Sequence, residues 1–301
     1  MKSFSYVVYL FLLPLSSIAN KPDISRFQQW ISDSCMPVII SVNRPTLMGD
    51  YFSFMDSIVK SNTKSDSCLS EYTIVHANPW IIDSLRNTDY YLAKEKGKRI
   101  TDMRKIELFH PGDRIGIPGR EQSIQIQDKL DSVWLDINVP EFRLRIKRKD
   151  TTLYTLPIRV GQNKMRYLET AKRIVSLQTD LGEGRILKAN KDLYFVNPVD
   201  GKQFATTKRD DGYITEMPII PWLETEIEGL RNGDMIHPTT NLNTLNKAYS
   251  NGCIGLRESD AWIVYYYAPP GTKVTIRYDL NSSNERGEKI VLKDIYKLSE
   301  K

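Results

Sequence analysis

Cysteine and histidine are scarce in this 301-residue chain, with three of each. The cysteines (Cys35, Cys68, Cys253) make no C-x-x-C pair, the histidines (His76, His110, His237) are scattered, and no H-E-x-x-H occurs. No metal-ligand spacing is therefore present, and no metal is expected. Long apolar runs are lacking as well. The N-terminal run Tyr6–Leu15 is about ten residues and is broken by Pro14, short of the ~20 needed to span a bilayer. Charge of one sign is not in excess: 42 basic residues stand against 37 acidic, a formal net charge of +5. Such a mild bias fits residence near anionic cell-surface polymers and requires neither a nucleic-acid nor a membrane partner.

The N-terminus carries a more specific signal. Lys2 supplies a positive n-region, Tyr6–Leu15 an apolar h-region, and Ser17-Ile18-Ala19 the small residues of a cleavage site. This predicts a secretory signal peptide over 1–19, cut after Ala19, and an exported protein with no integral membrane segment afterwards. No cysteine follows the site, which argues against a lipid anchor. Export changes how the cysteines read. In an oxidising compartment Cys35 and Cys68 are expected to pair, leaving Cys253 as an odd, reactive thiol; two unpaired N-terminal thiols are the alternative.

With 41% apolar and 26% charged residues, the chain has the composition of a soluble globular protein. Its length allows one large domain or two moderate ones. The sixteen tyrosines favour β-structure. A helical and loop region is expected over 20–70, with helices at Ile24–Ile31 and over 50–62. From 71 to 119 the pattern predicts a compact unit: a strand at Tyr72–Val75, helical turns at Trp80–Leu85 and Tyr90–Lys94, and turn then strand over Leu108–Pro118. The opening Tyr-Thr-Ile and the closing Pro-Gly-Asp-x-Ile-x-Ile-Pro resemble a LysM module, a small α/β glycan-binding fold, although Ala77-Asn78-Pro79-Trp80 replaces the usual Gly-Asp-x-Leu. Residues 120–128 read as a polar connector.

From about 130 the pattern turns strongly β. Strands are expected at Ser132–Ile137, Phe142–Arg148, Thr152–Val160, Ile174–Leu177, Asp192–Val196, Asp234–His237 and Lys273–Tyr278. One late helix is expected over Asp260–Tyr267 with Ser259 as its N-cap. Many short strands with one helix predict a mainly β fold with some α, a sandwich or barrel over 130–280, followed by a polar tail over 281–301.

Within that region Ser250-Asn251-Gly252-Cys253-Ile254 places a thiol beside a glycine turn, with His237 sixteen positions upstream of Cys253. Thiolate acyl chemistry needs such a set. An unperturbed thiol ionises near ~8.5 and needs a base or cation, and a glycine turn brings main-chain N–H groups close to a reacting carbonyl. A buried structural cysteine is the plain alternative for the motif taken alone.

Leu135-Asp136-Ile137-Asn138, Leu156-Pro157-Ile158-Arg159-Val160-Gly161, Ile236-His237-Pro238-Thr239, Ser250-Asn251-Gly252-Cys253-Ile254-Gly255 and Pro270-Gly271-Thr272 follow one another in an order that resembles the YkuD-type L,D-transpeptidase catalytic domain. The resemblance implies a YkuD-like β-sandwich or barrel preceded by the small LysM-like module. It implies a cysteine enzyme of the periplasm or cell wall that acts on peptidoglycan stem peptides, with Cys253 as nucleophile and His237 as general base. Asn251, Gly252 and Cys253 would supply oxyanion N–H groups, Ser250 would order the turn, and the Pro238 carbonyl would orient the imidazole. Thr239, Gly255, Arg257 and Trp222 become candidates for substrate contact. The acceptor would be a stem peptide, water or a protein lysine, and a protein lysine could also stand on the acyl-donor side. The implied chemistry would need neither a metal nor an organic cofactor. Asn251 replaces the family's usual His, and Gly255 its usual Arg or Asn, so Arg257 is expected to compensate. Pro238 replaces the usual Gly. The family's Thr-Pro-x-Gly is matched to Glu169–Lys172, and residues 163–233 are read as a lid in which Trp222, Tyr213 and Tyr194 could line the cleft. The alternative is a non-catalytic peptidoglycan-binding protein that keeps the fold.

Overall fold

The computed structural model describes residues 38–63, 68–231, 233–283 and 286–299. The expected signal peptide, the expected helix at Ile24–Ile31 and Cys35 lie outside these residues, and with Cys35 the expected Cys35–Cys68 bridge. Cys68 is exposed.

The first half contains strands β1 (Val38–Ser41) and β2 (Thr46–Leu47), helices α1 (Tyr51–Asn62), α2 (Glu71–Ala77), α3 (Trp80–Arg86) and α4 (Tyr90–Glu95), strands β3 (Glu107–Phe109) and β4 (Arg114–Ile117), and helix α5 (Arg120–Asp131). The strand expected at Tyr72–Val75, on which the LysM likeness leaned, is helical. Ser70 and Thr73 cap each other reciprocally, and this outweighs the β-propensity of Tyr-Thr-Ile-Val. The strand that pairs with β4 is β1, with Val38 opposite Ile117. Asn78 joins the end of α2 to β4: its amide donates to Ile74 O and Gly116 O and accepts from Gly116 N, at 2.7, 2.7 and 2.9 Å. The connector expected at 120–128 is α5. Its Glu, Gln, Lys and Leu are good helix formers, and it buries only Ser123 and Leu130, so its apolar stripe is too narrow to stand out in the sequence.

The second half contains β5 (Val133–Asn138), β6 (Arg143–Arg148), β7 (Thr151–Gly161), β8 (Met165–Leu168), β9 (Arg173–Ser176), β10 (Gly182–Asn190), β11 (Thr206–Lys208), β12 (Ile214–Glu216), β13 (Trp222–Ile227), β14 (Met235–Pro238), β15 (Ala248–Ser250), β16 (Ile254–Leu256), helix α6 (Glu258–Tyr267), β17 (Lys273–Arg277), β18 (Asn281–Ser283) and β19 (Lys289–Val291). The main sheet runs β15-β7-β16-β14-β13-β10-β17-β5-β6, and β6 also pairs with β7, so the sheet closes into a mixed barrel. The protein is thus mainly β with some α.

Alternation fills the barrel. On β6, Leu144 and Ile146 are buried while Arg143, Arg145 and Lys147 face outward. Helix α6 has no polar face: Trp262, Tyr265 and Tyr266 are fully buried, sandwiched against α1 and α3 residues such as Tyr51. One continuous hydrophobic cluster therefore runs from the helices into the barrel, and Pro37–Lys301 form a single compact unit. The N-cap expected at Ser259 lies inside the helix. The capping group comes from across the fold, because Asp89 Oδ2 accepts from Ser259 N at 2.9 Å.

Three further expectations change. Asp192–Val196 forms no strand and contributes only the isolated bridge Val196↔Gln203. Of the described strands in the segment read as a lid, β10 and β13 are staves of the barrel, while the β8–β9 and β11–β12 hairpins stand outside its sheet. The C-terminal tail, expected to be polar, also carries a buried anchor, since Tyr296 is 2% exposed within it. No helix among the described residues is long and apolar enough to cross a membrane.

Candidate active site

Strand β16 fixes the site. It lies between β14, to which it is parallel, and β7, to which it is antiparallel. The register sets His237 and Arg159 opposite Gly255 on either side, and Cys253 immediately precedes the strand. Residues far apart in sequence thus meet because three neighbouring staves end together.

The loop before Cys253 is held tightly. Gly252 has φ +115°, and a Cβ there would fall 2.1 Å from Asp234 Oδ1, so the position admits only glycine. Ser250 Oγ donates to Cys253 O at 2.5 Å, a bond that ties the two ends of the turn together. Thr179 Oγ1 donates to Gly252 O at 2.6 Å. In a trans peptide the C=O and the next N–H point in opposite directions. The Cys253 N–H therefore faces away from Thr179.

His237 Nδ1 lies 2.8 Å from Pro238 O. The carbonyl can only accept, so Nδ1 carries the hydrogen and Nε2 is left as the basic nitrogen. The ring stacks on Trp222 with centroids 4.1 Å apart and planes 17° apart. Burial, together with the Arg159 cation, pushes the imidazole down to about 3. Burial also pushes the Cys253 thiol up to about 12. The Asp234 carboxylate adds to this, while the Met235 N–H and Arg159 pull the other way. The resting pair is therefore neutral imidazole and neutral thiol.

Arg159 and Asp234 were not singled out from the sequence. The Arg159 guanidinium crosses Gly255 so closely that a Cβ there would fall 2.4 Å from Nε. Its Nη1 donates to Thr244 Oγ1 at 3.3 Å, and its buried Nε has no hydrogen-bond partner among the described residues. Burial lowers its pKa, opposed by the charges of Cys253 and Tyr249. The Asp234 carboxyl is raised by burial to about 7, and its Oδ2 accepts from Asp180 N at 3.2 Å. The signal for Arg159 was the glycine at 255. A missing side chain on one strand leaves room for a long one from the next.

The remaining candidates divide. Trp222 is at the site, while Tyr194 and Tyr213 are 70% and 45% exposed, with Arg99 stacked over the Tyr213 ring. Thr239 is buried and ties strand ends, its N–H donating to Leu256 O at 2.6 Å. Asn251 is half-buried beside Gly252. Arg257 does not compensate for Gly255: it is drawn to Asp89 and Glu95, at 3.2 and 3.3 Å, on the helical side. Glu169–Lys172 form the tip of the β8–β9 hairpin. The Thr-x-x-Gly at the site is instead Thr179-Asp180-Leu181-Gly182, which leads into β10. His76 supports the fold, with Nε2 2.8 Å from Tyr266 O, and His110 is exposed near Asp113.

No curated protein shows significant sequence similarity to the chain. Among solved structures it is similar to an L,D-transpeptidase from Mycobacterium smegmatis, at 13% identity and a TM-score of 0.34, over 48% of this chain and 58% of that one. A second similar structure is the L,D-transpeptidase (residues 123–326) from Xylanimonas cellulosilytica, at 12% and 0.35, over 80% and 100%. A third is the catalytic domain of the E. faecium L,D-transpeptidase, at 15% and 0.30, over 49% and 98%. The chain thus spans less than two thirds of the length of the first of these relatives. Residues 132–276 match the model of the YkuD family, described as the L,D-transpeptidase catalytic domain. The span contains the closed barrel, Arg159, His237 and Cys253, and it is a YkuD-type L,D-transpeptidase catalytic domain.

Proposed function

We propose that the protein is an exported cysteine L,D-transpeptidase of the periplasm or cell wall that acts on peptidoglycan stem peptides. The observation that carries this is the pairing of β14 with β16, which sets His237 against the residues that follow Cys253 inside the matched domain. Cys253 Sγ attacks the carbonyl of the third stem residue while its proton passes to His237 Nε2. The Pro238 carbonyl keeps that nitrogen free by holding Nδ1–H. The oxyanion meets main-chain N–H groups at Asn251, Gly252 and Cys253, each worth about 3 kcal/mol in comparable sites. Collapse breaks the peptide bond, D-Ala leaves with the proton from His237, and a thioester remains. An amine then attacks the thioester and gives a cross-link, a protein lysine gives attachment, and water gives trimming.

The neutral resting pair means that the proton moves only when the carbonyl is in place. Arg159 then favours the sulfur in its anionic form, in the place where Gly255 leaves no side chain. The deep protonation of the thiol, with Asn251 beside it, favours the second reading, a wall-binding protein without catalysis. Intact-protein mass after incubation with a carbapenem separates the two. An adduct is expected in the wild type and none in Cys253→Ala, whereas no adduct in the wild type would count against the transpeptidase reading and favour the binding one. Tetrapeptide muropeptides as substrates then distinguish cross-linking from D-Ala release.

A further inference from the structure

Tyr296 belongs to the C-terminal segment, beyond residues 132–276. It is 2% exposed, and its hydroxyl donates to Gly161 O at 2.9 Å and accepts from Thr179 N at 3.1 Å. The Thr179 hydroxyl accepts from Gly161 N at 2.9 Å and donates to Gly252 O at 2.6 Å. Two hydroxyls thus close a ring on the end of β7 and hold the carbonyl of the peptide that joins Gly252 to Cys253. The ring is itself anchored. Tyr296 stacks on Tyr278 with centroids 5.3 Å apart, and Tyr296 N donates to Tyr278 Oη at 2.6 Å. Asp294 accepts from Tyr278 Oη at 2.6 Å, from Leu298 N at 3.1 Å and from Ser299 N at 2.9 Å.

A peptide group is a rigid plane, so fixing its carbonyl direction fixes its N–H direction. The geometry points to Tyr296 as a positioning residue: through Thr179 it aims the Cys253 N–H at the place where the acyl oxygen of the substrate forms. The proposal rests on the reading of Cys253 as an acyl-accepting nucleophile. Its first part, that the tail holds the loop, does not depend on catalysis.

Two measurements on the full chain test it, each with Tyr296→Phe, Thr179→Val and Thr179→Ser. Tyr51→Phe serves as a control that removes an equally buried hydroxyl, the one paired with Tyr266 in the helical half. Amide hydrogen exchange over 250–256 should rise about tenfold in Tyr296→Phe and Thr179→Val, and should stay near wild type in Thr179→Ser and Tyr51→Phe. Equal exchange in Tyr296→Phe and Tyr51→Phe would overturn the proposal. The second readout is the ratio of carbapenem acylation to iodoacetamide alkylation at Cys253. Alkylation needs the thiolate but no oxyanion donor, so Tyr296→Phe should slow acylation by about tenfold or more and alkylation by less than about threefold. An equal loss in both would reduce Tyr296 to a stabilising role and overturn the positioning role. A wild type that is never acylated would sink the transpeptidase reading, and the exchange result would still decide whether the tail holds the loop.

Discussion

Two groups of buried charge flank β16 and α6, and they are satisfied in different ways. On the helical side, Glu258 forms an ion pair with Arg209 and accepts from Tyr90 N at 3.0 Å. Asp89 accepts from Tyr91 N, Leu92 N and Ser259 N, at 2.8, 3.0 and 2.9 Å, and from Arg257 Nε at 3.2 Å. Both of these carboxylates have a counter-charge, and they cap each other's helices. On the catalytic side, among the described residues, Arg159 has the Thr244 hydroxyl for Nη1, Asp234 a backbone N–H from Asp180, and His237 the Pro238 carbonyl. Burying an unpaired ionisable group is unfavourable, so its neutral form gains. The neutral thiol and imidazole, and an Asp234 carboxyl that ionises only near about 7, follow from that. Compensated charge holds the two halves together, and uncompensated charge is kept where chemistry is proposed.

The comparison breaks most easily at Arg209. Arg209→Met leaves the Glu258 carboxylate buried without its cation, which should cost about 3–5 kcal/mol. Urea unfolding at neutral pH measures it. A loss below about 1 kcal/mol would mean that Glu258 is not the charge-compensated carboxylate described here. Arg159→Met removes a cation that has no carboxylate to leave behind, so stability should change by no more than about 1 kcal/mol. Its effect is on reactivity. Without the cation His237 rises from about 3 and Cys253 rises further, so acylation should fall about tenfold or more while its acid limb moves toward neutral pH. An unchanged pH profile with a large drop in stability would reverse the assignment.

How legible this was in the sequence depended on how local the cause is. The β alternation of Leu144 and Ile146, the glycine turn at Gly252 and the His237–Cys253 spacing are written in short stretches, and these stretches carried the barrel and the family. The helix at Glu71–Ala77 was misread because one cap, Ser70 with Thr73, outweighs four strand-favouring residues. Arg159 was hidden because its role exists only through the register of β7 on β16, which no window of sequence contains. Arg257 looked right for the opposite reason: it is near in sequence, but its backbone has already turned into α6 and its side chain meets Asp89.

Asp234 sharpens the comparison by pH. Its folded pKa is raised to about 7, so its contribution to stability is complete below the unfolded carboxylate range and is lost as pH rises through about 7. Asp234→Asn should therefore melt a few degrees above wild type at pH 8, with the gap closing below about pH 4. The same substitution takes a negative charge away from Cys253, so alkylation at pH 8 should speed up. A thermal advantage independent of pH would show that Asp234 is not the uncompensated carboxyl described here.

The smallest effect is expected at Arg257, where the two designs meet. Arg257→Gln removes one of four donors on Asp89 and a half-exposed contact to Glu95. Asp89 keeps three backbone N–H groups, so the loss should be about 1 kcal/mol rather than that of an orphaned charge. Acylation by a carbapenem should stay within about twofold of wild type, because the guanidinium lies with the helices and not over Gly255, where Arg159 already sits. A tenfold loss in acylation at unchanged stability would place Arg257 with the chemistry and dissolve the division between the two charge clusters.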